Sequence, residues 1–251
     1  MKGVLDLTLN FMDTIKLLET LVSIDSVFSN EEQIGLFLVN YLENLGFKVH
    51  KVPTSKERVN IIGEFGQSRA YLGFYGHMDT VPPDKDYSSD PFTLTVKDNK
   101  AYGLGVGDMK GGLVAILKMA EYSSKNNLPV KVIFGVDEEG ISQGAHNLVD
   151  SKLLNNVNFL IVGESGQIKN LNQPFSVVFG RKGRILFDIE VFGKKAHAAE
   201  IDKGLNAIEQ AATLIKAIKK IRFPKDKDFG QSDIVFQEIN SQTDSFSVPD
   251  Y

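Results

Sequence analysis

Cysteine does not occur in this sequence of 251 residues. Disulfides, thiolate nucleophiles and cysteine-based zinc sites are thereby excluded, and any metal must be held by histidine and carboxylates. Histidine is itself scarce, at four residues. Positive charge is not in excess: 28 Lys and Arg face 32 Asp and Glu, a net charge of −4. That balance gives no electrostatic case for nucleic acid or for an anionic membrane as partner. No apolar run approaches the ~20 residues a membrane span needs. The N-terminal stretch MKGVLDLTLNFMDTIK carries Asp6 and Asp13 and no long apolar core. It makes a poor signal peptide, so a cytoplasmic location is the default expectation. What is present, 42% hydrophobic and 24% charged residues, is the composition of a soluble globular protein with one large or two moderate domains.

Apolar spacing organises the chain. Ile15, Leu18 and Val22 recur at helical intervals, and so do Ile34, Leu38, Tyr41, Leu42 and Leu45. Ser29 or Asn30 is expected to cap the second helix and Gly46 to stop it. Strand-like segments follow from Phe47, Asn60 and Tyr71, and a hairpin is expected to turn at Asp98–Asn99. A helix should start near Lys110, a buried strand at Val130, a short helix after Ser142 and another buried strand at Asn158. After Val178 the pattern changes. GRKGRILFDIEV alternates like a half-exposed strand, Leu205 to Ile221 reads as an amphipathic helix, and DIVFQEIN is strand-like again. The expectation is an α/β fold, a mixed sheet flanked by helices. It carries a first domain over 1–180 and a small, incomplete sheet-and-helix domain over 181–251, since two strands and a helix bury too little to stand alone.

Three of the expected buried strands end in ligand-type residues. YLGFYG runs into His77 and Asp79, VKVIFGV into Asp137, Glu138 and Glu139, and NFLIVG into Glu164. In open α/β sheets sites form outside the carboxyl ends of strands, so these side chains should converge. Asp108 joins them from the glycine-rich stretch GLGVGDMKGG. So many acids meeting at one rim repel unless a cation is present. Asp79 stands two residues from His77 in extended chain, on the same side. It can accept the second imidazole N–H and leave the other nitrogen for a metal. Of the adjacent glutamates, one is suited to binding metal and the other to holding a water beside it. The glycines of GLGVGDMKGG do not make a dinucleotide fingerprint: starting from Gly103 the last position is Asp108, and from Gly105 it is Lys110. No Walker sequence occurs either, which removes a nucleotide-binding oxidoreductase. Gly163-Glu164-Ser165-Gly166 is a failed nucleophile elbow, its second glycine one position early. His50 and His146 read as surface or second-layer residues.

In order, GHMDTVPP, YGLGVGDMKGG, GVDEEG, VGES, GRKG and KAHAAEIDKGLNAIEQA resemble the motifs of the co-catalytic zinc amidohydrolase and exopeptidase family. That family includes acetylornithine deacetylase, succinyl-diaminopimelate desuccinylase, aminoacylase and glutamate carboxypeptidase. The resemblance implies that His77, Asp108 and Glu164 bind one zinc, and that Asp108 bridges to a second zinc also held by Glu139. It implies Glu138 as general base, Asp79 as the residue orienting His77, and a cis peptide between Asp108 and Met109. His197 is similar to the family histidine that reaches across a homodimer to stabilise an oxyanion, and the second domain to the family's ferredoxin-like lid. Cobalt or manganese would also suit such nitrogen and oxygen ligands. The implied activity is hydrolysis of an amide in an N-acyl amino acid or short peptide, as in amino-acid biosynthesis. Leu104, Gly107 and Ser165 depart from the family pattern at positions that are not ligands. None of the four histidines matches the family's last zinc ligand, so the chain resembles a C-terminally truncated member. The competing expectation is therefore a non-catalytic metal-binding fragment.

Overall fold

A computed structural model describes residues 11–55, 57–87, 89–165, 177–241 and 247–250. The chain forms two compact units, Met1–Lys169 and Asn170–Tyr251. The division at 180/181 suggested by the change in patterning stays a proposal.

In the first unit, α1 (Phe11–Ser23) and α2 (Glu32–Asn44) precede β1 (Lys48–Pro53), β2 (Val59–Phe65) and β3 (Tyr71–His77). A small hairpin, β4 (Thr95–Lys97) and β5 (Lys100–Tyr102), turns through Asp98 and Asn99 in left-handed backbone, as the sequence predicts. Then come α3 (Gly111–Asn126), β6 (Val130–Gly135), α4 (Gln143–Asp150) and β7 (Val157–Val162). The main sheet has the order β1-β2-β6-β3-β7. β1, β2 and β6 pair antiparallel, whereas β6, β3 and β7 run parallel. The parallel links go through α3 and α4, the helical crossovers that parallel neighbours require.

Alternation along the central strands supplies both faces of the sheet. Val132 and Phe134 of β6 join Leu21 of α1, Leu38 and Leu42 of α2, and Leu113 and Leu117 of α3 in the main core. Ile133 faces the other way and packs with Ile62, Val52 and Leu148 of α4. All of β6 is buried, the signature of a strand covered on both sides.

Two details of the first unit correct the sequence reading. Neither Ser29 nor Asn30 caps α2. Its N-cap is Glu31, whose side chain makes no capping bond. At the other end Gly46, at φ +82°, does stop the helix. Its N–H donates to the Glu43 carbonyl and that of Phe47 to Leu42, the paired bonds of a left-handed helix terminus. β7 is the larger correction. Its pattern predicts a buried strand, but it lies at the sheet edge with β3 as its one neighbour among the described residues. Phe159 is 76% exposed and Leu160, Ile161 and Val162 are about as open as they are closed.

The second unit holds a short turn at Ala198–Lys203, α5 (Ala207–Ile218) and a two-residue hairpin of β8 (Lys225–Asp226) and β9 (Gly230–Gln231). Asn206 caps α5, its side-chain oxygen accepting from the N–H groups of Ile208 and Glu209. The segments GRKGRILFDIEV and DIVFQEIN, predicted as strands, are not strands: no β-ladder among the described residues runs along them. A period-two pattern without a hydrogen-bonded neighbour does not make a ladder. No helix among the described residues is long and apolar enough to cross a membrane.

Phe134 is fully buried in the central strand. Phe134→Ala should cost about 3–5 kcal/mol, read as a lowered denaturant midpoint. Phe159→Thr, on the open edge, should change stability by no more than about 0.5 kcal/mol.

Candidate metal centre

Parallel pairing of β6, β3 and β7 sends their carboxyl ends to one rim of the sheet. His77 is the last residue of β3, Asp137 to Glu139 follow β6, and Glu164 follows β7. Asp108 comes from the kinked segment Val106–Lys110 ahead of α3, where its own backbone is extended (φ −133°, ψ 98°). The Asp108–Met109 peptide is cis.

Close backbone packing brings this segment to the strand ends. A Cβ placed on Gly112 would lie 2.0 Å from the carbonyl oxygen of Gly163. Only glycine lets the first turn of α3 rest against the residue that precedes Glu164. Lys110, fully buried, braces the segment from the other side by donating from Nζ to the Ile24 carbonyl at 2.8 Å. Burial pushes its ammonium down to about 8 against the raising effect of Asp25.

His77 is the hub. Its Nε2 lies 2.9 Å from Asp108 Oδ1 and 3.5 Å from Glu164 Oε2. Its Nδ1 lies 2.9 Å from the main-chain carbonyl of Asp79 and 3.6 Å from the Asp79 carboxylate. A carbonyl only accepts, so Nδ1 carries a hydrogen and the lone pair of a neutral ring falls on Nε2, facing the acids. Asp79 thus meets His77 more closely through its backbone than through its carboxylate. The carboxylate is engaged elsewhere, its two oxygens accepting the N–H groups of Glu138 (3.2 Å) and Glu139 (2.9 Å).

Two triplets offer ligand atoms all within 4.8 Å of one another: His77, Asp108 and Glu164, and His77, Glu138 and Glu139. They share His77, whereas the resemblance makes Asp108 the shared residue. The field of Asp108 nonetheless reaches Glu139. Burial, then the charge of Asp108, raises the carboxyl groups of both Glu139 and Glu164. Burial lowers the His77 imidazole, but Asp79, Glu138 and Asp108 outweigh it and push the ring up to about 9. Asp79 moves down despite burial, held by His77 and the Glu139 N–H. Oxygen donors that raise one another beside an imidazole lone pair fit a divalent cation, which would relieve the repulsion that a proton on His77 relieves without it.

His197 belongs to the second unit, where its Nδ1 accepts the Ala199 N–H at 3.1 Å. His50 lies half-buried on β1 and His146 exposed on α4, and neither is in a ligand triplet among the described residues. Lys110 was legible in the sequence only as a helix start. Its tie to Ile24 spans 86 residues, and no local pattern announces it.

Residues 73–237 match the model of peptidase family M20/M25/M40. Acetylornithine deacetylase of Buchnera aphidicola subsp. Schizaphis graminum is 31% identical over 90% of this chain and 62% of its own length. That of Proteus mirabilis is 34% identical over 77% of this chain and 49% of its own length. Succinyl-diaminopimelate desuccinylase of Pelagibacter ubique is 28% identical over 90% of this chain and 62% of its own. The chain therefore spans about half to three-fifths of the length of the curated relatives it matches. A Staphylococcus aureus tripeptidase superposes with a TM-score of 0.66 at 22% identity, covering 96% of this chain and 64% of that one. The metallo-carboxypeptidase Sso-CP2 of Sulfolobus solfataricus gives 0.61 at 19%, covering 81% and 49%. At these identities the structures establish a common fold.

His77, Glu139 and Glu164 shift upward, whereas Asp79 and Lys110 shift downward. A ring raised from 6.5 to about 9 adds stability that is complete below the lower value and lost as pH rises through the upper one. Glu139 and Glu164, also raised, act in the same direction. The metal-free chain should lose thermal stability as pH rises from 6.5 toward 8, above which the lowered Lys110 opposes the loss. Zinc added at about pH 7.5 should displace about one proton per chain from His77, measurable as acid release in weakly buffered solution. A flat stability profile with no proton release would contradict this.

Proposed function

The chain belongs to peptidase family M20/M25/M40, and on that premise we propose that it carries the metal centre of a hydrolase. The substrate is an N-acyl amino acid or a short peptide with a free carboxylate, cut at the amide. The observation that carries the reading is the placement of His77 Nε2, 2.9 Å from Asp108 and 3.5 Å from Glu164. Beside it, Glu138 and Glu139 are tied through their backbones to Asp79. The names of the relatives support the substrate class: acetylornithine deacetylase and succinyl-diaminopimelate desuccinylase remove acyl groups from amino acids, and a structural neighbour is a tripeptidase. The two deacylases also support a place in amino-acid biosynthesis.

His77, Asp108 and Glu164 would hold one ion, and Glu139 with Asp108 a second, zinc by ligand type and cobalt or manganese as substitutes. A divalent ion there supplies Lewis acidity toward the scissile carbonyl and a lowered pKa for bound water. The remaining steps belong to the chain's own residues. Glu138 takes a proton from the attacking water and delivers it to the leaving nitrogen. Asp79 fixes the main chain of both glutamates and, through its carbonyl, the His77 tautomer. His197 is proposed as the oxyanion donor, supplied from the partner subunit of a homodimer. Its support is the resemblance of KAHAAEIDKGLNAIEQA to the family's lid.

The test combines metal analysis with assays on N-acetyl and N-succinyl amino acids in added zinc or cobalt. Glu138→Ala should lower turnover by about 10²–10⁴-fold with metal content unchanged. Undiminished turnover would remove Glu138 from the chemistry, and a wild-type chain that binds metal without turnover would be a binding module.

A further inference from the structure

Resting on the reading of Glu138 and Glu139 above, we infer that Arg58 is a positioning residue of the metal centre, setting the turn from which both glutamates project. Arg58 precedes β2 and lies outside the span matched by the family model. Its guanidinium serves two buried carboxylates at once. Nε donates to Glu31 Oε2 at 2.9 Å and Nη2 to Glu31 Oε1 at 2.5 Å, while Nη1 donates to Asp137 Oδ1 at 3.0 Å. The Phe28 ring covers its flat face, 4.8 Å away. The partners' side chains are 1% and 3% exposed, so neither carboxylate has water to stabilise its charge.

Asp137 is where this network meets the centre. It sits at φ +69°, a left-handed conformation that a non-glycine residue adopts only at a cost. Three bonds hold it there: the Arg58 bond, the Gln143 N–H to Oδ2 at 2.7 Å, and the Ser142 N–H to its carbonyl at 2.8 Å. The left-handed residue reverses the chain at the end of β6, and the next two residues are Glu138 and Glu139. Their N–H groups then meet the Asp79 carboxylate. The turn is thus pinned from two sides: Asp79 fixes where the glutamates start, and Arg58 fixes the direction in which the chain enters. Without Arg58, Glu31 and Asp137 become uncompensated buried charges, and a buried pair broken in this way is strongly destabilising. Letting Asp137 swing outward relieves that and carries both glutamates with it.

Arg58→Gln tests this with two readouts. In hydrogen–deuterium exchange of the full chain, amides over 137–143 should exchange at least tenfold faster (a local opening), with β6 and α3 unchanged. In titration with Co²⁺ alone, the ion that depends on Glu139 should bind about 10–100-fold more weakly, the range for lost outer partners of a ligand. The ion on His77, Asp108 and Glu164 should be unaffected. Should Arg58→Gln not fold, Arg58→Lys answers instead. It keeps the charge but cannot fork to both acids, so it must show the same local signature more weakly. Wild-type exchange over 137–143, or acceleration spread equally into β6, would overturn the positioning role. A wild-type chain that takes up no cobalt would sink the hydrolase reading alone, because the exchange result still decides the part played by Arg58.

Discussion

Mutual repulsion among the carboxylates gathered around one imidazole is the constraint that shapes the first unit. Asp108, Glu138, Glu139 and Glu164 approach His77 from two strand ends and one loop. Left to themselves they would separate, since the charged forms of Glu139 and Glu164 are already disfavoured by burial and by Asp108. Hydrogen bonds and packing that face away from the rim oppose that tendency: Asp79 on two backbone amides, Lys110 on the Ile24 carbonyl, Asp137 in its network. These ties act behind the rim, on the chain that carries the acids. A site preorganised in this way holds charge without having to reorganise.

Much of this was legible in the residues, for a definable reason. Buried strands announce themselves by continuous apolar runs, and a ligand-type residue just past such a run is visible without a structure. That is how His77, Asp137 to Glu139 and Glu164 came together from sequence alone, and the parallel order β6-β3-β7 makes the inference work. Asp108 was legible from its glycines, whose role is the close approach seen at Gly112. The hairpin at Asp98–Asn99 and the stop at Gly46 follow from local backbone chemistry and needed no tertiary knowledge.

The misses share the opposite property. Whether β7 is central or at the edge depends on which strands lie beside it, and Phe159 to Val162 read the same in either place. The alternating segments of the second unit need partners to become strands, and partners are not encoded in alternation. Glu31 replaced Ser29 and Asn30 at the start of α2, with its carboxylate drawn to Arg58, 27 residues away. Arg58 reaches a further 79 residues to Asp137. Its position before β2 is unremarkable locally, so its role emerges only when the sheet is assembled. The Asp79 carboxylate stays 3.6 Å from the imidazole, and its bonds to the Glu138 and Glu139 N–H groups are the part that local sequence did not announce.

The contact between Gly112 and Gly163 bears on how such a centre can be altered. A helix start and a strand end that touch through bare backbone form a joint with no adjustable part. A side chain at Gly112 would force this joint apart and shift the segments that carry Asp108 and Glu164. Retuning of the site is therefore easier at the donors and the residues behind them than at the joint. An engineer retuning this pocket would treat that junction as fixed scaffold and make every change outside it.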